Sequence, residues 1–322
     1  MNKSTNFVGI DISKKVFDVW CSSFGHKRFT NDQTGFKRFL ELLGINSWCV
    51  MEYTGNYYQH LALFLYEKEI PVSIINPLVI KRFTQMKLHH NKTDKSDAKM
   101  IARYANEQKV TRWNPTPEYI ETCQDLHTTI SIYHKQTTAL RNKLHSLESK
   151  GVKGKIITSI KRQIRQLANE ICLLENEIEH LLKRFEPELL TNLSSISGIG
   201  KKTAMMLIAS TNGFRTFTTA KQVSAYFGLS PVERSSGSSI RGKSRISKKG
   251  NPMVRNYLFM CSFTACKNNP QCKALYERIV NKGKSKKLAL IAVTNKLITQ
   301  SFAIAKSGIP YDPDYKSALV LN

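Results

Sequence analysis

The sequence predicts a multidomain chain, α/β in its first part and helical in the rest. Three observations predict it. Residues 6 to about 110 alternate short Val-, Ile- and Phe-rich runs with amphipathic stretches. From Cys123 onward, apolar residues step by three and four over some sixty positions. After Pro187 the helical pattern resumes, interrupted by one basic, Ser- and Gly-rich segment. These changes of pattern divide the chain at 1–115, 116–186 and 187–322.

In the first region NFVGIDIS, KVFDVWCS and HKRFTN read as three consecutive strands, and GFKRFLELLG as a short helix. SWCVMEYT is a fourth strand, NYYQHLALFLYEKE a helix and PVSIIN a fifth strand, after which Pro77 opens a basic helix through Lys87. The order strand-strand-strand-helix-strand-helix-strand-helix matches the ribonuclease H-like (RuvC-like) arrangement. Asp11 and Glu52 sit inside apolar strand runs, where a carboxylate is expensive unless a cation compensates it. Asp94 and Asp97 stand three apart at the start of a helical pattern, so both point from one face. Taken singly, Asp11 reads equally well as a turn acid and Asp94 as a helix N-cap. Together, the four suggest a divalent metal site acting on phosphodiesters. Asp18 reads as a surface acid or one supporting the metal ligands, and His89 and His90 as part of a polar loop. Tyr53, Tyr57 and Tyr58 read as packing residues rather than base-stacking ones.

Pro115 and Pro117 close this region. Leu126, Ile130, Tyr133 and their successors form one heptad-like seam, and Ile157 to Phe185 a second, separated by Gly151 and Gly154. Each arm of about thirty residues spans on the order of 45 Å as a helix, which predicts an antiparallel coiled-coil hairpin. The spare apolar positions Ile156, Cys172, Leu173 and Leu182 favour pairing with a second subunit, as a dimer or tetramer.

The last region opens with LTNLSSISGIGKKTAMMLIAS, which has the look of a helix-hairpin-helix. Gly198 and Gly200 would expose backbone N–H groups to a phosphate beside Lys201 and Lys202. A plain tight connection between helices is an equal reading of that turn. Between Arg234 and Arg255 the segment is acid-free and carries Arg241, Lys243, Arg245, Lys248 and Lys249. Such a stretch is poorly ordered alone and suited to a sugar-phosphate backbone.

Composition points the same way. Forty-nine Lys and Arg against 24 Asp and Glu give a formal net charge of +25, which favours a polyanionic partner, nucleic acid first. No stretch reads as long and apolar enough to span a bilayer, so no membrane partner is expected. The seven cysteines are odd in number and form no CxxC pair, which suits free thiols in a reducing cytoplasm.

With these residues in hand, the chain resembles the DEDD-type transposases of insertion sequences (the IS-one-ten group, related to the Piv DNA invertases). The motifs GIDISKKVFDV, MEYTGNYY, INPLVIKRF, KTDKSDAKMIARYA, SISGIGKKTA and GLSPVERSSG…RISKKGNPMVR carry the resemblance over nearly the whole chain. It implies a RuvC-like catalytic domain, a coiled coil and a mainly helical C-terminal transposase domain with a nucleophilic serine. The family's acids fall on Asp11, Glu52, Asp94 and Asp97 as Mg²⁺ ligands, with Mn²⁺ a substitute. Its serine, which precedes a glycine, falls on Ser236 before Gly237, with Ser235 the adjacent alternative. The resemblance also implies double-stranded donor and target DNA, a guide (bridge) RNA and a place at the bacterial nucleoid. Two rivals remain: a RuvC-like junction nuclease without a covalent intermediate, and an inactive nucleic-acid-binding scaffold.

Overall fold

A computed structural model describes residues 5–53, 55–88, 93–232, 235–236, 240–241 and 245–315, with only the backbone of 235–236 and 240–241. The chain forms two compact units, residues 1–115 and 116–322.

The first unit is built on a five-stranded sheet. Its strands are β1 (Asn6–Ile12), β2 (Val16–Cys21), β3 (Gly25–Thr30), β4 (Ser47–Glu52) and β5 (Val72–Ile75). They lie in the order β3-β2-β1-β4-β5. β1 runs antiparallel to β2 and parallel to β4, while β3 is antiparallel to β2 and β5 parallel to β4. This mixed sheet is consistent with the expected RuvC-like arrangement. The helices are α1 (Gln33–Leu40), α2 (Gln59–Glu67), α3 (Pro77–Met86) and α4 (Asp94–Glu107).

The period-two alternation of each strand sorts its side chains between two cores. Val8, Ile10 and Ile12 of β1 and Cys49 and Met51 of β4 join Phe36, Phe39, Leu61 and Leu65 of α1 and α2. Phe7, Trp48 and Val50 face the other way, packing with Ile80 of α3 and Ile101 and Ala105 of α4. By the same alternation Gly9, Asp11 and Glu52 belong to the α3–α4 face. Gly9 lets α4 settle directly on β1: a Cβ there would lie 2.1 Å from the Ala98 carbonyl oxygen and 2.4 Å from the Ala102 nitrogen.

The second unit begins with two long helices, α5 (Glu118–Ser149) and α6 (Lys155–Phe185), joined by a turn whose Gly151 and Gly154 have positive φ. The two pack along each other as a hairpin. Their base shares one core with α7 (Pro187–Ser194), α8 (Lys201–Thr211), α9 (Ala220–Tyr226), α10 (Pro252–Asn268), α11 (Pro270–Asn281) and α12 (Lys286–Ser307). Leu182, expected as a spare position, is fully buried in that core, whereas Ile156 and Leu173 are 47 and 60% exposed. Towards the tip, Ile157, Ile160 and Ile164 are only half-buried.

α12 is a helix of membrane-crossing length, although Thr294, Asn295 and Lys296 interrupt its apolar run. By length and composition it qualifies. Its apolar residues have a use within the unit, since Val293, Leu297 and Ile298 are fully buried in the helical core.

Candidate active site

The sheet presents its acids on one face. Asp11 pairs across with Asp18 of β2. Glu52 ends β4 one residue beyond the Ile10–Met51 pairing that aligns it with β1. α4, crossing at Gly9, supplies Asp94 and Asp97 from its first turn. That turn is fixed by a capping box: the Thr93 side chain accepts from the Ser96 N–H, and the Ser96 hydroxyl accepts from the Thr93 N–H. Thr93 is therefore the N-cap, and Asp94 is freed from that role.

The carboxylates feel one another. Burial, followed by the charges of Asp97, Glu52, Asp94 and Asp18, pushes the Asp11 carboxyl up to about 6. Four negative neighbours acting on one half-buried carboxyl form a field that a divalent cation would relieve. All-oxygen donors suit a hard ion such as Mg²⁺. The side chains are not drawn into a ligand cage: among the described residues, no three or more His, Cys, Asp or Glu side chains have metal-holding geometry.

Of the two readings of Asp18, the structure rules out a surface acid. It is buried, 3% exposed. His26 Nε2 lies 2.6 Å from its Oδ1, and the Arg28 guanidinium donates to both of its oxygens. Arg28 also donates from Nη2 to Asp94 Oδ2 at 2.6 Å. Sequence reading missed this Asp18–His26–Arg28 group. The available signal was the alternation of β3, which puts His26 and Arg28 on one face opposite Trp20 and Asp18.

Near the site, Tyr58 is buried and tilts against Tyr53 at 5.2 Å, as packing predicts, while Tyr53 and Tyr57 are about half exposed. His89 and His90 lie outside the described residues.

The second unit carries the other candidates. Ser235 and Ser236 form β7, pairing with β8 (Ile240–Arg241) so that Ser236 lies opposite Ile240. Outside it, β6 (Pro231–Val232) pairs with β9 (Arg245–Ile246). The described parts of this segment, expected to be poorly ordered alone, include two short antiparallel ladders. Arg234, Gly237 and Lys243 lie outside the described residues, and of Arg241 only the backbone is described. Arg245, Lys248 and Lys249 are exposed.

The ends of the segment are tied together. The Lys248 N–H donates to the Gly228 carbonyl and the Ser247 N–H to the Ser230 carbonyl. A Cβ on Gly228 would lie 2.1 Å from the Lys249 carbonyl oxygen, and one on Gly250 2.1 Å from that of Tyr226. Arg255 Nη1 donates to the carbonyls of both Phe227 and Gly250.

At the helix-hairpin-helix-like turn, Gly198 has φ +112 and its Cβ would meet Ala265 of α10 at 2.7 Å, so this glycine serves close packing. Gly200 is exposed with open space at its Cβ position. Lys201 pairs with Glu179 and Lys202 with Glu175, both at 2.6 Å, which docks α8 on α6. His127 was also missed by sequence reading: burial pushes it down to about 4, and its Nε2 is buried without a hydrogen-bond partner.

Comparison with known proteins adds to this geometry. Residues 8–149 match a DEDD-type IS110 transposase family model, and residues 190–277 match the transposase IS116/IS110/IS902 family. The chain is 30% identical over 322 residues to the pilin gene-inverting protein of Moraxella bovis, covering 96% of this chain and 98% of that protein. The same identity and coverage hold for the pilin gene-inverting protein of Moraxella lacunata. It is 26% identical over 334 residues to the transposase for insertion sequence element IS1111A of Coxiella burnetii, covering 91% of this chain and 88% of that one. On its motifs and these matches, the chain belongs to the IS110 family of transposases and DNA invertases.

Proposed function

We propose that the chain is a DNA recombinase that cuts and rejoins strands through a covalent phosphoserine link at Ser236, with Asp11, Glu52, Asp94 and Asp97 as its metal ligands. The observation carrying the acidic half is that Asp11 and Glu52 share the sheet face on which α4 presents Asp94 and Asp97, where burial first and these neighbouring charges next raise the Asp11 carboxyl. A bound Mg²⁺ ion, or Mn²⁺ in its place, supplies charge neutralisation at the phosphate and helps to activate the attacking hydroxyl.

The residues divide the remaining work. Asp94 and Asp97 are presented by a capped, rigid helix start, and Asp11 and Glu52 by neighbouring strands, so the ligands sit on regular elements. The Ser236 Oγ bonds to phosphorus as the phosphorus–oxygen bond to one DNA strand breaks. The departing strand oxygen takes up a proton, and the serine hydroxyl gives one up. In the second half a DNA hydroxyl attacks the phosphoserine and regenerates the serine. One phosphoester bond is exchanged for another, so its energy is conserved for rejoining. Arg234, Arg241 and Lys243 are suited by type to stabilising the phosphate, and Arg245, Lys248 and Lys249 to holding the backbone.

The family implies that a bridge RNA selects donor and target DNA. The half-covered seam of α6 near its tip supports assembly into a dimer or tetramer through the hairpin, as a coiled coil.

The test is a Ser236→Ala protein supplied with guide RNA, Mg²⁺ and duplex substrate. It is expected to bind normally but to lose both cleavage and strand exchange. Wild type should yield a denaturant-resistant protein–DNA adduct that peptide mapping places on Ser235–Ser236, chiefly Ser236. Nicking by the alanine protein at the wild-type rate would make water the nucleophile and favour the junction-nuclease alternative.

A further inference from the structure

The α5–α6 hairpin is electrically polarised along its length. Its base, residues 118–134 and 166–186, carries eight Asp and Glu against two Lys and Arg. Its distal half, residues 135–165, carries nine Lys and Arg against one acid, Glu148.

The two ends also differ in what their charges do. At the base, Glu175, Glu179 and Glu186 are ion-paired with Lys202, Lys201 and Arg215, and so hold α6 to the helical core. At the tip, one ion pair is found among the described residues, Lys161 with Glu148. Arg141, Lys150, Lys153, Lys155, Arg162 and Arg165 are all exposed. The first turn of α6 carries no acid, and no side chain caps it. A solvated helix face is ordinarily a mixture of both signs, because opposite charges at i,i+4 support a helix and like charges weaken it. Concentrating cations at the tip has a cost in self-repulsion that, among the described residues, the single Lys161–Glu148 pair offsets only in part.

We infer that the distal half of the α5–α6 hairpin is a phosphate-binding arm that grips duplex DNA. Lys155 to Arg165 cover about 15 Å of α6 at 1.5 Å per residue, a length over which one strand of B-DNA presents several phosphates. The arm's hold on the backbone would be independent of sequence, since phosphate contacts position a protein without specifying bases. Its residues are distinct from the four acids and from Ser236. Its failure would leave the chemistry proposed for them untouched, because that is read by cleavage and this by binding.

The experiment uses the full-length protein and two probes, a fluorescein-labelled 30-bp DNA duplex and a single-stranded RNA of equal length. Binding is measured by anisotropy over a series of salt concentrations. One variant combines Lys150→Gln, Lys153→Gln, Lys155→Gln and Arg162→Gln, all exposed positions. Its control carries Lys→Arg at the three lysines and Arg162→Lys, which keeps the charge. For the Gln variant, the slope of log affinity against log salt on duplex DNA should fall by about three to four, at roughly 0.9 for each phosphate no longer neutralised. Affinity at 150 mM salt should drop about tenfold or more, with the control matching wild type. An unchanged duplex slope would overturn the inference, as would a change confined to RNA or an equal loss in the control.

Discussion

Arg28 and Asp94 meet at 2.6 Å across 66 residues of sequence, and the same guanidinium holds the buried Asp18. Strand β3 and helix α4 are thereby tied together at the mouth of the acidic face. Replacing Arg28 by Gln should lower the melting temperature, because Asp18 would keep only His26 as a partner in a buried position. Arg28→Lys should not restore it, since one ammonium cannot serve two carboxylates with a planar fork. Thermal unfolding followed by circular dichroism checks this, and wild-type melting in either variant would refute it.

Asp11 gives a pH-dependent prediction. Its carboxyl holds a proton up to about 6, against an ordinary 3.8, so it binds that proton more tightly folded than unfolded. Its contribution to stability is therefore fully present below about 3.8 and lost as pH rises through about 6. Without added metal, Asp11→Asn should stabilise the protein at pH 7.5 by about 1–2 kcal/mol, discounted for the partial exposure of the carboxyl. The gain should vanish at pH 4, where the wild-type carboxyl is already neutral. Mg²⁺ should stabilise wild type and not the variant. Urea titrations at the two pH values measure all of this, and a variant less stable than wild type at pH 7.5 would contradict it.

Gly9→Ala tests how the acids are brought together. The added methyl would collide with backbone atoms of α4 at 2.1 and 2.4 Å, which cannot rotate away. The helix has to shift, at a cost of about 1–3 kcal/mol or more. Moving Asp94 and Asp97 by about 1 Å should slow strand cleavage about 10²-fold. A Gly9→Ala protein with wild-type denaturation midpoint and cleavage rate would show that this contact does not set the site.

The hairpin seam offers a cleaner probe of assembly than its buried positions. Ile171 and Ile178 are already covered within one chain, so substituting them would damage the hairpin itself. Ile156→Asp with Leu173→Asp changes exposed positions and should leave the monomer folded while lowering the oligomeric state. Light scattering reads the mass directly. An unchanged mass would remove this surface from the assembly interface.

Much of this was legible in the sequence because it is local. The strand runs around Asp11 and Glu52 and the helical pattern opening at Asp94 are read from neighbouring residues, although the N-cap of α4 is Thr93 and not the Asp94 that the sequence offered. What escaped reading depends on pairing between distant segments. Asp18 could be a surface acid or one supporting the ligands until β3 brings His26 and Arg28 against it. Lys201 and Lys202 look free for phosphate until α6 presents Glu179 and Glu175. The spare seam position Leu182 is claimed by a helical core that the heptad pattern alone does not reveal.

The tethered ends of the serine-bearing segment have a consequence of their own. Residues 226–230 and 247–250 meet backbone to backbone, so the chain leaves the helical core and returns to it at one point. The closure is made by this stem, and the β6–β9 pairing continues it. Once two ends are fixed, lengthening what joins them costs only logarithmically, about 0.6 kcal/mol per doubling. Substitutions between these two ends are therefore expected to leave the contacts that join α9 to the start of α10 in place. The serine travels on an interchangeable cartridge, and the helical core serves as its socket.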